Sequence, residues 1–353
     1  MNIPTEPIGS IPRSPELIAA QQQFAAGTIS AGDFAAQQTK ALLDTLLQFE
    51  ATGSPVITDG EQTKPSFVGY PLAGLQNLAG GGVVIPFADG HTRELPVLTG
   101  GPFRYATHAA SYVEVARQHT KLPVKQAVIA ASALSLIYPG AGIADYPREK
   151  FLDDLVAGAE ADIRGALAAG AHSVQLDFTE GRLSIKLDPS KGVLRSFIGL
   201  NNRVLERFSA SERARLGVHT CPGGDHDSTH SADIDYADLL PSLFELEVGK
   251  FFVQLASEHD RPRVLQVIKQ HLRPGQRVFV GVTDPINPRV ETVEEVRDRV
   301  LEAARYIPIA QLGTCDDCGF SPFGDDTSTS RDTAFAKIAA RVVGTRLAAE
   351  SLA

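Results

Sequence analysis

Arg277-Val278-Phe279-Val280-Gly281-Val282-Thr283-Asp284 is a short apolar, β-branched run that stops at an acid and Pro285. An amphipathic stretch, Val293–Tyr306, follows it, and then a second short run, Ala310–Thr314, which leads into Cys315-Asp316-Asp317-Cys318-Gly319. Strand-like runs alternating with helical patterns imply parallel strands joined by crossover helices. The same alternation extends back through the chain. Strands are expected at Glu6–Ser10, Pro55–Asp59, Val124–Ala130, Ser173–Phe178, Leu216–Cys221 and Phe251–Ala256. Helices are expected at Ala31–Thr52, Arg148–Gly170, Asn202–Arg215, Ala237–Glu247, Arg261–Leu272 and Arg331–Leu352. Eight β/α units in 353 residues point to an α/β fold of the (β/α)8 TIM-barrel type with hairpin insertions, rather than to an open doubly wound sheet.

Two passages exceed a minimal barrel. Gly80–Gly100 holds Val83-Val84-Ile85-Pro86, an Asp89-Gly90 turn and Glu94–Leu98, which reads as a β-hairpin inside an insertion spanning roughly 80–110. Gly181–Leu187 reads as a second short hairpin arm. No repeat or Pro/Ser-rich linker divides the chain, so residues 1–353 are expected to form one elaborated barrel.

The 33 basic and 42 acidic residues leave a net charge of −9, which offers no counter-charge to a phosphate backbone or an anionic bilayer. Nucleic acid and membranes are therefore not expected partners. The apolar stretch Ala127–Ala144 is rich in Ala, Ser and Gly and breaks at Tyr138-Pro139-Gly140, too weak for a spanning helix. The start, Met1-Asn2-Ile3-Pro4-Thr5-Glu6-Pro7, has neither a basic region nor an apolar one, so a cytoplasmic location is expected. Three cysteines are too few for a disulfide framework and suit a reducing compartment, where thiols serve more often as ligands or nucleophiles.

In a barrel of this kind the chemistry sits where strands end and βα loops begin. That filter selects Ser10, Glu61, Asp177, His219, Cys221, Gln254, Asp284, Cys315 and Cys318. His219-Thr220-Cys221 places an imidazole and a thiol two residues apart at a strand end, where they point the same way. Such a pair alone equally describes a buried histidine beside an inert cysteine. Cys318, after another strand opening on the same rim, adds a third donor. Sulfur and imidazole ligands select zinc, and three of them leave a fourth position for substrate. Cys315 and Cys318 also form a C-x-x-C, but the intervening Asp316-Asp317 disfavours a redox pair, and a closed structural zinc site wants a second C-x-x-C. The loop Pro222–His230 offers further acids and histidines, as ligands or as incidental surface groups.

Seven pieces occur in order: Ile8-Gly9-Ser10 with Pro12-Arg13, Thr58-Asp59-Gly60-Glu61, Pro123-Val124-Lys125, Val174-Gln175-Leu176-Asp177, His219-Thr220-Cys221, Gly281-Val282-Thr283-Asp284 and Asp317-Cys318-Gly319. Together they resemble the catalytic barrel of cobalamin-independent methionine synthase, from Ile8 to about Arg341, in its short single-barrel form. The resemblance implies a methyltransferase that holds homocysteine as a zinc thiolate and converts it to methionine. It assigns zinc to His219, Cys221 and Cys318, and homocysteine to Ile8, Ser10, Glu61 and Asp177. Two positions depart from the family. Gln254 stands where a glutamate completes the zinc shell, leaving Gln254 itself, Glu247, Asp225 or His226 as fourth-ligand candidates. The loop Asp284-Pro285-Ile286-Asn287-Pro288 lacks the family's proton-transferring histidine.

A positioned proton donor contributes ~100–10,000-fold, so its loss makes a methylcorrinoid or a sulfonium attractive as methyl donor beside methyltetrahydrofolate. Asp284 and Arg331 are the donor-side candidates; Arg331 follows the polar loop 325–330 and equally suits an ion pair at a helix start. The competing readings are a zinc-dependent epoxyalkane:coenzyme M transferase and a metal-free decarboxylase of the uroporphyrinogen type. Both want a cationic rim.

Overall fold

The computed structural model describes residues 2–353. At its centre lie six parallel strands: β1 (Gln126–Ile129), β2 (Val174–Asp177), β3 (Leu216–Thr220), β4 (Lys250–Val253), β5 (Arg277–Gly281) and β6 (Leu312–Cys315). They pair strictly in chain order. The register aligns Asp177 with His219 and His219 with Phe252 across neighbouring strands.

The two remaining expected strands, Glu6–Ser10 and Pro55–Asp59, run alongside as single bridges instead. Thr5 pairs in parallel with Thr314 and Ile57 with Val124. Pro4, Pro7, Pro12 and Pro55 lack the N–H that a longer ladder needs. The two segments nevertheless meet each other. Thr58 Oγ1 donates to the Gly9 carbonyl (2.7 Å) and the Ile11 amide to the Gly60 carbonyl (3.0 Å). These contacts complete the ring of eight segments, and the fold is a (β/α)8 barrel.

Most crossover helices lie near their expected places, among them Ala31–Ala51, Arg148–Ala168, Arg261–His271, Val293–Ala304 and Arg331–Ser351. Four regions differ. Asn202–Arg215 is not one helix: Gly192–Leu205 ends early, and Ser209 caps a separate turn, Ala210–Arg213, through a capping box with Glu212. Pro15–Ala25 and Ala110–His119 are additional helices. Gly181–Leu187 is not a hairpin arm but part of the helix Glu180–Leu187, which buries Leu183 and Ile185. A Cβ on Gly181 would lie 3.0 Å from the Phe178 ring and 3.2 Å from Leu239, so that helix is pressed against its neighbours.

The 80–100 insertion is the expected hairpin. Val84–Pro86 pairs with Thr92–Glu94 around a turn in which Gly90 takes φ +94°, and Leu78–Ala79 pairs with Val97–Leu98.

Inside the barrel Phe252 and Phe279 stack with ring centroids 4.7 Å apart, beside Ile8 and Cys315. Cys315 is fully buried there, donates to the Phe279 carbonyl, and has its thiol pushed up by burial. The larger apolar core lies between the strands and the surrounding helices. No helix among the described residues is long and apolar enough to cross a membrane.

Candidate metal centre

His219 sits near the C-terminal end of β3, Cys221 just beyond it, and Cys318 three residues beyond β6. Their ligand atoms lie within 4.8 Å of one another, and the two sulfurs are 2.9 Å apart. His219 and Cys221 are buried, and both ring nitrogens of His219 lack a hydrogen-bond partner. A buried imidazole rarely leaves both nitrogens unsatisfied. The neighbouring Cys221 sulfur, and then burial, push the Cys318 thiol up. A soft divalent cation would resolve both anomalies at once, so the donor set fits zinc.

The loop carrying Cys318 is fastened from below. Asp317 Oδ1 accepts from the Leu255 and Ala256 amides (2.8 Å each), and Oδ2 from the Ser257 amide and hydroxyl (2.7 Å each). Gly281 makes room for this carboxylate, since a Cβ there would lie 1.8 Å from Asp317 Oδ1. Ser10 ties in the first segment: its hydroxyl accepts from the Ser321 amide (3.2 Å) and its carbonyl from the Phe320 amide (3.0 Å).

The three metal-ligand candidates line a cavity of about 440 Å³, together with Ile8, Ser10, Glu61 and Asp177. Glu61 adopts φ +57°, an uncommon conformation for a non-glycine residue. Its Oε1 accepts from Lys64 (3.2 Å), whereas its buried Oε2 has no partner. Asp177 Oδ1 accepts from Gln175 (2.7 Å). Burial raises the pKa of both carboxyls. The acids are thus partly but not fully satisfied, and a cationic ligand group in the cavity would stabilise their ionised forms.

Other sequence candidates are engaged elsewhere. Glu247 precedes the N-terminal end of β4 and pairs with Arg273 at 3.6 Å, at the opposite end of that strand from the cysteines. Gln254 donates to Ser257 (2.8 Å) and Glu258 (2.9 Å). Its Oε1 is buried without a partner. Asp225 is held by Arg93 at 2.5 Å, and His226 is exposed. Asp284 accepts from the Ile286 amide (3.0 Å) within its own loop. Arg331 reaches the Pro12 carbonyl (2.7 Å) and Asp44 (2.7 Å), bracing the last helix on the first loops. Neither Asp284 nor Arg331 lines the cavity.

Several cavity residues were not singled out from sequence. The insertion hairpin covers the barrel mouth and contributes Ile85, Phe87 and Arg93. Arg93 is pinned by Asp225 and Asp325, and its guanidinium lies 4.2 Å from the Phe323 ring centroid. His230, from the loop Pro222–His230 that the sequence did offer, faces the same space against Phe87, and burial pulls its pKa down to about 4. Nothing in the local pattern of 80–100 marks Ile85, Phe87 and Arg93 as site residues. Their role comes from where the hairpin lands.

Glu180 also lines the cavity. It accepts from Ser132, and burial pushes its carboxyl from 4.5 up to about 8. Because folding raises this pKa, the folded state holds a proton that the unfolded chain has released, and stability falls as pH rises from about 4.5 to about 8. Glu180→Gln removes this loss. The melting-temperature difference between E180Q and the unmodified protein should widen across that window, and a constant difference would contradict the assignment.

Comparison with known proteins is consistent with this geometry. Residues 3–340 match the family described as the cobalamin-independent synthase catalytic domain. A 5-methyltetrahydropteroyltriglutamate–homocysteine methyltransferase from Nitratidesulfovibrio vulgaris is 25% identical over 324 residues, covering 90% of this chain and 38% of that protein. Its counterpart from Ralstonia pickettii is 22% identical over 325 residues, covering 91% and 40%. This chain therefore spans about two fifths of the length of these relatives.

Among solved structures, a B12-independent methionine synthase from a Shewanella species in complex with selenomethionine superposes with a TM-score of 0.76 at 19% identity, covering 100% of this chain and 99% of that one. A methyltransferase from Methanosarcina mazei gives a TM-score of 0.53 at 12% identity, covering 99% and 94%. With the family match running over nearly its whole length, this chain belongs to the cobalamin-independent synthase family as a form of its catalytic domain.

Proposed function

We propose that this protein is a zinc-dependent methyltransferase that methylates the thiol of homocysteine to give methionine. The observation that carries the reading is the convergence of the His219, Cys221 and Cys318 side chains with Glu61, Asp177, Ile8 and Ser10 on one cavity. His219, Cys221 and Cys318 would hold the ion. Zinc bound there would supply a Lewis acid that lowers the proton affinity of a ligating substrate thiol. The ionised carboxylates of Glu61 and Asp177 would receive the substrate ammonium, fixing the direction of its sulfur. The insertion hairpin keeps water away from the sulfur while the methyl group is delivered in line.

The names of the relatives from Ralstonia and Nitratidesulfovibrio point to a methyltetrahydropteroyl donor, and methyltetrahydrofolate is the donor to test first. Asp284 lies outside the cavity, and the ionisable cavity side chains outside the proposed metal and substrate sets are Arg93, Glu94, Glu180 and His230. A methylcorrinoid needs no protonated leaving group and is the comparison donor. The alternatives that need an anion-binding rim find little support: Arg93 is the one Lys or Arg lining the cavity among the described residues, and it is committed to Asp225 and Asp325. We read residues 1–353 as one domain, of which 3–340 carry the family match, and place a thiol chemistry of this kind in the cytoplasm.

Zinc-loaded protein mixed with homocysteine should show a new sulfur ligand in the zinc X-ray absorption edge and form methionine when methyltetrahydrofolate is added. An unchanged edge would overturn the substrate assignment. Turnover with the methylcorrinoid alone would overturn the donor.

A further inference from the structure

Lys125 is fully buried inside the barrel, yet its hydrogen-bonding side-chain partner is neutral: Nζ donates to Gln175 Oε1 at 2.7 Å. The ammonium also lies 3.7 Å from the Phe252 ring centroid. Glu6, the carboxylate whose charge acts most on it, is taken by Lys250 at 2.7 Å. Burial pulls the Lys125 amine down to about 8. A buried cation resting on an amide is an expensive way to fill space, and an apolar side chain of similar length would serve packing better.

What the lysine does is visible one bond further on. Gln175 Nε2 donates to Asp177 Oδ1 (2.7 Å) and to the Ile8 carbonyl (3.2 Å). One amide nitrogen therefore joins two of the groups assigned to the amino-acid end of the substrate, one on β2 and one on the first loop. A glutamine amide has two orientations differing by a half-turn. Flipped, Gln175 would turn its oxygen toward a carboxylate and a carbonyl, which are acceptors only. Lysine is a donor only, so Lys125 forbids that flip.

We propose that Lys125 and Gln175 are positioning residues that set Asp177 and the Ile8 carbonyl for the substrate ammonium. This rests on the homocysteine site proposed above, and neither residue touches the reacting atoms. Hydrogen bonds to a charged group are the stronger kind, so losing this support should weaken ammonium recognition about tenfold.

The test uses zinc-loaded protein and two ligands, homocysteine and its des-amino analogue mercaptobutanoate, titrated by calorimetry. Two variants separate the roles. Lys125→Met removes the donor that orients the amide. Gln175→Glu keeps an acceptor for Lys125 but turns an oxygen toward Asp177 and Ile8. Each variant should weaken homocysteine about tenfold, raise its KM with kcat changed less than about twofold, and leave mercaptobutanoate affinity and zinc content unchanged. Equal losses for both ligands would show a general packing defect and overturn the proposal. So would homocysteine binding at the unmodified level in either folded variant. If K125M fails to fold, Q175E decides alone. If the unmodified protein binds neither thiol at its zinc, the proposed function fails first and this inference with it. Homocysteine bound by the unmodified protein and, with undiminished affinity, by both variants sinks the inference only.

Discussion

Cys318→Ala is expected to leave the protein folded, strip it of zinc, and lower methionine formation by about a thousandfold or more. The rate estimate follows from losing several kcal/mol of Lewis-acid stabilisation, at 1.36 kcal/mol per factor of ten. The fold should survive because Cys318 lies in a loop beyond β6 and faces the cavity rather than the apolar core. Removing its sulfur leaves His219 and Cys221 as a two-donor set, too poor to hold zinc in competition with water. Cys315→Ala is the matched control. That thiol sits inside the barrel against Phe252 and Phe279, so C315A should keep its zinc and its activity apart from a modest stability cost. Metal analysis beside turnover reads the outcome. Full zinc and full activity in C318A would remove Cys318 from the site, and zinc loss in C315A would revive a C-x-x-C centre.

Asp317→Ala should be nearly as damaging by a different route. Its carboxylate accepts three backbone amides and one hydroxyl from residues 255–257. Truncation orphans all of them, and Asp317 and Leu255 are buried. Each unmade bond to a buried amide costs about 1–3 kcal/mol, so a loss of about 3–5 kcal/mol in stability is expected after relaxation. Zinc affinity should fall about 10–100-fold, as it does when groups behind a metal ligand are removed, because the Cys318 loop loses its anchor on the segment just beyond β4. Asp317→Asn is the informative partner. Its oxygen can still serve the Leu255 and Ala256 amides, but its NH2 then confronts the Ser257 amide, so D317N should lie between D317A and the unmodified protein. Denaturant unfolding and competitive zinc titration measure the two effects. A D317A protein of unchanged stability and affinity would show that the β6 loop holds its shape without this carboxylate.

The barrel strands were legible because a strand buried on both faces is a near-continuous apolar run. Val278–Val282 and Phe251–Val253 announce themselves whatever surrounds them. The first two segments were harder, since Pro4, Pro7 and Pro55 limit them to one bridge each while barrel closure still holds them in place. Residues 181–187 misled for a related reason. Leu183 and Ile185 alternate as in a strand, but both are buried in a helix packed against Phe178 and Leu239, and packing overrode the local period.

The site divides along the same line. Which side chains could carry metal chemistry was determined by the sequence alone: His219, Cys221 and Cys318 are the right donors at the ends of recognisable strands. The 97-residue separation of Cys221 from Cys318 says nothing about distance, and only ring closure brings all three ligand atoms within 4.8 Å. Tertiary structure also decided which candidates face the cavity. Glu247 lies at the far end of its strand, Asp284 and Arg331 brace loops, and Arg93 and His230 enter through the hairpin and its contacts. Short-range pattern reports which face of an element is apolar. Where a loop lands, and whether a buried lysine orients an amide, depends on contacts between residues distant in the chain, and those exist only once the barrel has closed.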